Sequence, residues 1–252
     1  MIKLFIYYSI LLINLSCGSS GLGQSGTNPP SHASFDKLLQ AHVSEQGKVD
    51  YKGFNADVDK LDAYLTLLST NPPDRETWSE QEQLAYWINT YNAFTIKLIL
   101  NHYPVKSIKD IGPKLSIPIV NTVWHLEFFE IGGKPASLDE IEHKILRKEF
   151  NEPRIHFAIN CASISCPQLM NQAYTANNLE AQLEQAAHAF INNPKHNTLA
   201  NKQAELSPLF SWFKEDFTRN GSLAEFINQY ADNKLSKEAK ISFKKYNWSL
   251  NE

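Results

Sequence analysis

The densest concentration of reactive side chains lies at residues 154–167, RIHFAINCASISCP, where one His, one Asn, two Cys and two Ser fall close together. A thiolate is a strong nucleophile, an imidazole can take its proton, and an amide can help hold an oxyanion. Read as a short strand, residues 154–160 put His156, Ala158 and Asn160 on one face, with Cys161 just beyond. If Cys161 opens a helical turn, the free N–H groups there would lower its pKa and favour thiolate. The offset from His156 to Cys161 is odd, so on a strand the two side chains diverge. A bend at Asn160 would bring them together; otherwise the base comes from elsewhere, with His143 next in line. The residues leave three alternatives open: Cys161 as a free nucleophilic or redox-active thiol, a local Cys161–Cys166 disulfide holding a loop, or two inert free thiols.

Two further segments carry polar residues in apolar surroundings. The run 79–102 is apolar almost all round, with Gln83, Tyr86, Thr90, Lys97 and Asn101 forming one polar stripe. Asn89 and Asn92 lie off that stripe. Buried amides must be hydrogen-bonded, so each either satisfies a loop's backbone or orients a catalytic or substrate group. In 138–150 the apolar face is Leu138, Ile141, Ile145 and Leu146. Glu142 falls in the middle of it, while His143 is turned about 100° away. A carboxylate in that position must pair with a cation, for which Arg154 and His156 are candidates, or take up a proton at a raised pKa.

Together these residues suggest a catalytic set: Cys161 as nucleophile, His156 or His143 as base, and Glu142 or Asn89 orienting the base. Asn92 or Asn160 would hold the oxyanion, and Arg154 joins Asn89, Asn92 and Asn160 as a candidate substrate-binding residue. Glu215 and Asp216, adjacent on a helix, read as solvated. There is no H-E-x-x-H and no paired C-x-x-C, so no metal is assigned. G-x-S-x-G, Walker and G-x-G-x-x-G signatures are missing too, and no cofactor is assigned.

The elements that must position these groups are mostly helical. Capping boxes at Ser79/Glu82, Ser137/Glu140 and Ser222/Glu225 open three helices. Asn55 precedes the periodic run Val58, Leu61, Tyr64, Leu65, Leu68; Asn178 opens a helix to Asn193; Ser207-Pro208 opens another. Residues 122–131 alternate and end at Gly132-Gly133, a hairpin signal, and 199–206 is a weaker strand. The expectation is an α+β fold: a predominantly helical single domain over 33–252 with a small antiparallel or mixed sheet. With 42% hydrophobic and 20% charged residues the chain is globular. A net charge of −3 with no basic run argues against a nucleic-acid partner.

Residues 1–16 read as a signal peptide: Lys3, an apolar segment over 4–13, then small Ser16 before Cys17. Cys17 has the position of the lipidated cysteine of a bacterial lipobox, with Asn14 where Leu is usual. The Gly/Ser/Pro-rich residues that follow complete a tether over 17–32. The expectation is a protein secreted across the inner membrane and anchored by a lipid on Cys17, facing the periplasm or the cell surface. Its partners would be the membrane and an envelope substrate or protein.

QLAYWINTYNAFTIKLIL at 83–100, SLDEIEHKILR at 137–147 and PRIHFAINCASISCP at 153–167 resemble the family of domain of unknown function 547 (DUF547). AYTANNLEAQL at 173–183, SPLFSWFKEDF at 207–217 and YNWSLN at 246–251 extend the likeness, with Asn247 where the family has Asp. The resemblance implies a single α+β domain, often on secreted or membrane-anchored bacterial proteins, and little chemistry. It favours Cys161 over Cys166 as the functional cysteine.

Overall fold

The computed structural model describes residues 28–112 and 122–252. The signal segment, Cys17 and most of the tether lie outside the described residues.

Three helices lead into the centre of the fold: α1 (Ala33–His42), α2 (Tyr51–Ala56) and α3 (Val58–Thr70). The Asp50 side chain caps α2 by accepting the Gly53 N–H at 2.9 Å. Helix α4 (Glu80–Leu100) packs on α2 and α3 and is the spine. Its capping box is formed as expected: Ser79 Oγ accepts the Glu82 N–H and Glu82 Oε2 accepts the Ser79 N–H. Residues 84–100 are buried except Lys97, which pairs with Asp62. A helix apolar on every side is stable only with neighbours on every side, which is why α4 is central.

After α4 comes a hairpin, β1 (Phe129–Ile131) and β2 (Lys134–Ala136), turned by Gly132 and Gly133 at φ of 60° and 72°. Two successive positive φ values are what a two-residue hairpin turn requires, and glycine reaches them without strain. The next helix, 138–149, carries a π-helical stretch over Glu140–Leu146 and ends in α5 (Arg147–Glu149). A single helical turn, α6 (Ile155–Ala158), follows.

The second part of the core is built from α7 (Leu179–Ile191), β3 (Thr198–Ala200), β4 (Gln203–Leu206), α8 (Leu209–Trp212), α9 (Lys214–Phe217), α10 (Leu223–Tyr230) and β5 (Lys240–Phe243). Strand β4 pairs antiparallel with β3 and parallel with β5. Phe157 joins this cluster by stacking on Phe190 and Phe217. The fold is α+β, with two small sheets beside a helical core. No helix among the described residues is long and apolar enough to cross a membrane.

Three expectations are corrected. Residues 154–160 are not a strand: the Phe157 N–H bonds to the Arg154 carbonyl and the Ile159 N–H to that of Ile155. All four residues of α6 are buried, so neither a two- nor a 3.6-residue period is expressed. Of 122–131 only the last three residues form a strand, and Val123–His125 is a 3₁₀ turn. The run 199–206 is a hairpin rather than one strand.

Candidate functional site

A cavity of about 570 Å³ opens between the 138–149 helix, α6, α8 and the C-terminal segment. Cys161, His156, His143 and Glu142, the four candidate catalytic residues, all line it. Asp139, Glu142, His143 and Arg147 recur at three- and four-residue steps, so one side of the helix faces the cavity. His143 therefore lines the same wall as Glu142.

Behind the charged wall, Asp216 ties its residues together. Its Oδ2 accepts from His156 Nε2 (2.8 Å) and Arg147 Nε (2.6 Å), and its Oδ1 from Arg219 Nη2 (2.8 Å). Burial alone would raise the Asp216 carboxyl, but the bonds from His156 and Arg147 outweigh it and hold the group well below the usual carboxylate range. Reading Asp216 as solvated is corrected: it is 6% exposed. It sits between Phe213 and Phe217 at helical spacing, the same signal that singled out Glu142.

His156 is kept neutral. Burial pushes its pKa down to about 4, against the pull of Asp216. Its ring stacks on Phe213 with centroids 3.9 Å apart. With Nε2–H given to Asp216, Nδ1 carries a lone pair, is buried, and has no partner among the described residues. His143 is in the opposite condition. Arg147 Nη1 donates to its Nδ1 at 3.0 Å, which leaves the proton on Nε2, 3.6 Å from Asp139. Its lone pair is engaged, and burial, helped by Arg147 and opposed by Asp139, lowers its pKa.

Glu142 accepts from the Tyr91 hydroxyl at 3.2 Å. The expected cationic partners are not bonded to it: His156 is held by Asp216, and Arg154 is bound by Glu152 and Glu180 away from the cavity. Burial raises the Glu142 carboxyl to about 7, opposed by Tyr91 and Arg147. Because the folded state holds this proton above the unfolded value of 4.5, its contribution is full below that pH and is lost as pH rises through 7. Glu142→Gln should therefore gain on the parent protein by about 2–3 kcal/mol between pH 5 and pH 8 in urea unfolding. A gap that stays constant with pH would contradict the burial of this proton.

The amides are occupied structurally. Asn89 donates to the Tyr174 carbonyl and accepts its N–H, at 2.8 and 3.0 Å. Asn92 donates to the Ala158 carbonyl and accepts the Asn160 N–H, at 3.0 and 2.8 Å. Asn160 donates to the Pro167 carbonyl and accepts from the Ala162 N–H and from Asn251. None of the three lines the cavity, nor does Arg154, so the orienting, oxyanion and substrate-binding roles expected of them find no support.

Cys161 and Cys166 are joined by a disulfide, one of the three alternatives left by the sequence. A free Cys161 thiol, as the nucleophile requires, exists only once that bond is reduced. Trp124, Trp212, Tyr246 and Trp248 also line the cavity, with ring centroids 4.4–5.5 Å apart along the chain of neighbours. Trp212, 49% exposed, forms the rim. This wall and Tyr91, Asp139, Arg147 and Asp216 were missed by the sequence reading.

Residues 75–191 match the family model described as Protein of unknown function, DUF547. The match supports the DUF547 family. It covers α4, the 138–149 helix, α6, the cysteine loop and α7, but ends before Asp216 and the Trp212–Trp248 wall. No curated protein and no solved structure matches the chain. Among the described residues, no group of three or more His, Cys, Asp or Glu is placed to hold a metal ion.

Proposed function

We propose that the cavity is a thiol-dependent acyl-transfer site, a hydrolase or acyltransferase acting on amide bonds in the cell envelope, with reduced Cys161 as nucleophile. The observation that carries this reading is the convergence of Cys161, His156 and Glu142 on one aromatic-walled cavity. Asp216, not Glu142 or Asn89, orients His156, leaving Nδ1 as a proton acceptor. Glu142, with a pKa of about 7, matches a proton carrier at neutral pH. The aromatic wall would hold the acyl donor while the thiolate attacks.

The test uses p-nitrophenyl acetate as a generic acyl donor with the full chain after reduction. One acetyl group is expected on Cys161, with release of one nitrophenolate. Cys161→Ser should slow this by at least ~10³-fold and Glu142→Gln by roughly 10²-fold. Acetylation that ignores both substitutions would overturn the reading. It would favour the second one, a non-catalytic envelope lipoprotein binding a partner or small ligand, for which the Cys161–Cys166 bond speaks.

The envelope location rests on the segment that ends at Ser16-Cys17. Cys17→Ser is expected to move the protein from the membrane pellet to the soluble fraction while the domain stays folded. A variant that still pellets with membranes would remove the lipid anchor from the proposal.

A further inference from the structure

The two sulfurs of the disulfide occupy unequal surroundings. Cys161 is partly exposed on the cavity wall, whereas Cys166 is 4% exposed. The Cys161 N–H lies 2.9 Å from Cys166 Sγ, with the Tyr246 hydroxyl at 3.3 Å and the Ser163 hydroxyl at 3.5 Å. Those two hydroxyls also lie 3.2 and 3.4 Å from Cys161 Sγ, but the backbone N–H is aimed at Cys166 alone among the bonds formed. Burial pushes the Tyr246 phenol well above its ordinary value, so it remains a proton donor across the physiological range.

The loop between the sulfurs is fixed without the bond. The Ile164 N–H donates to the Ser249 carbonyl (2.8 Å), the Ser165 N–H to that of Asn247 (3.2 Å), and the Asn247 N–H to Ser165 Oγ (2.9 Å). Asn160 ties both sides of the loop through Ala162 and Pro167. A short loop already held by these bonds gains little from a covalent staple, because little chain entropy is left to remove.

We propose that Cys161–Cys166 is a dithiol–disulfide couple that exchanges with a thiol-bearing molecule, a low-molecular-weight thiol or a cysteinyl peptide, entering the cavity. The incoming thiolate forms a bond to Cys161 Sγ, and the Cys161–Cys166 bond breaks. Its electron pair goes to Cys166 Sγ, which leaves as a thiolate held by the Cys161 N–H and the Tyr246 hydroxyl. A second thiolate then attacks the incoming sulfur and releases Cys161. Two thiols become one disulfide, and the two electrons and two protons end on the cysteine pair. A better-stabilised leaving thiolate departs faster, which makes Cys161 the attacked sulfur. The inference rests on the cysteine loop and the cavity, not on acyl transfer.

The experiment incubates the full chain, purified without reductant, in reduced and oxidised glutathione mixtures, followed by acid quenching, alkylation and peptide mass mapping. The pair is expected to reach a reversible two-electron equilibrium while circular dichroism is unchanged. Cys166→Ser should trap glutathione on Cys161, and Cys161→Ser should leave Cys166 largely unmodified. Tyr246→Phe should slow opening about tenfold with the fold intact, one hydrogen bond to a charged leaving group. A bond that resists glutathione in the folded protein, opening that unfolds the domain, or glutathione trapped mainly on Cys166 would each overturn the proposal. Because Cys166→Ser keeps Cys161, it should retain acetylation by p-nitrophenyl acetate while losing closure, which separates failure of exchange from failure of acyl transfer.

Discussion

Asp216→Ala is expected to lower the stability of the domain by about 3–5 kcal/mol, the largest effect of any single substitution in or behind the cavity wall. The carboxylate is 6% exposed and answers three donors, from His156, Arg147 and Arg219. Removing it deprives two guanidinium groups and an imidazole N–H of this acceptor. Asp216→Asn keeps the volume and one acceptor oxygen but removes the charge, and should fall between alanine and the parent. The pH dependence follows from the sign of the shift. The folded pKa lies below the unfolded value of 3.8, so the contribution is full above that pH and disappears as pH falls toward the depressed folded value. Urea unfolding at pH 7 and near pH 3 measures both: the gap between parent and Asp216→Ala should shrink in acid. His156 adds to acid lability, because its folded pKa of about 4 is below 6.5 and its stability is lost as pH falls through that range. A loss below about 1 kcal/mol at neutral pH would mean the carboxylate is not the hub of this wall.

The second large effect is counterintuitive from the sequence. Asn92 stands on an apolar helix, where leucine has the same branched shape and better helix propensity. Asn92→Leu is nonetheless expected to destabilise by about 2–6 kcal/mol. Its amide satisfies the Ala158 carbonyl and the Asn160 N–H, both in buried residues between α6 and the cysteine loop. Leucine leaves both unpaired, at about 1–3 kcal/mol each. Asn92→Asp is also expected to fail, since an oxygen would then face the Ala158 carbonyl. Thermal unfolding of the three proteins checks this, and an unchanged or raised midpoint for Asn92→Leu would show that the backbone groups find other partners. Asn89, bonded in the same way to Tyr174, should behave alike.

Much of the fold was legible because it is written in local rules. The Ser79/Glu82 and Ser222/Glu225 boxes form as expected, since capping is decided within four residues. The Gly132-Gly133 turn and the helix after Asn178 are where the pattern puts them. Short buried pieces were not legible. In α6 every residue is inside, so no alternation distinguishes a helical turn from a strand. Strand β5 pairs in parallel with β4 across a long separation, and its exposed residues give no apolar period.

Only part of the cavity's lining could be read from the chain. Cys161, His156 and Glu142 stood out because a polar group among apolar neighbours must have a reason to be there. The sequence also determined that Asn89 and Asn92 needed partners, since a buried amide cannot stay unpaired. What it could not decide was which partner each found. Glu142 met the Tyr91 hydroxyl rather than a cation, His156 met Asp216 sixty residues away, and the two Asn met backbone rather than ligand. Cys161 met Cys166 because the C-terminal segment pins their loop. Capping and periodicity act between neighbours along the chain, whereas these pairings are fixed only when distant elements pack and each desolvated group takes the partner left within reach.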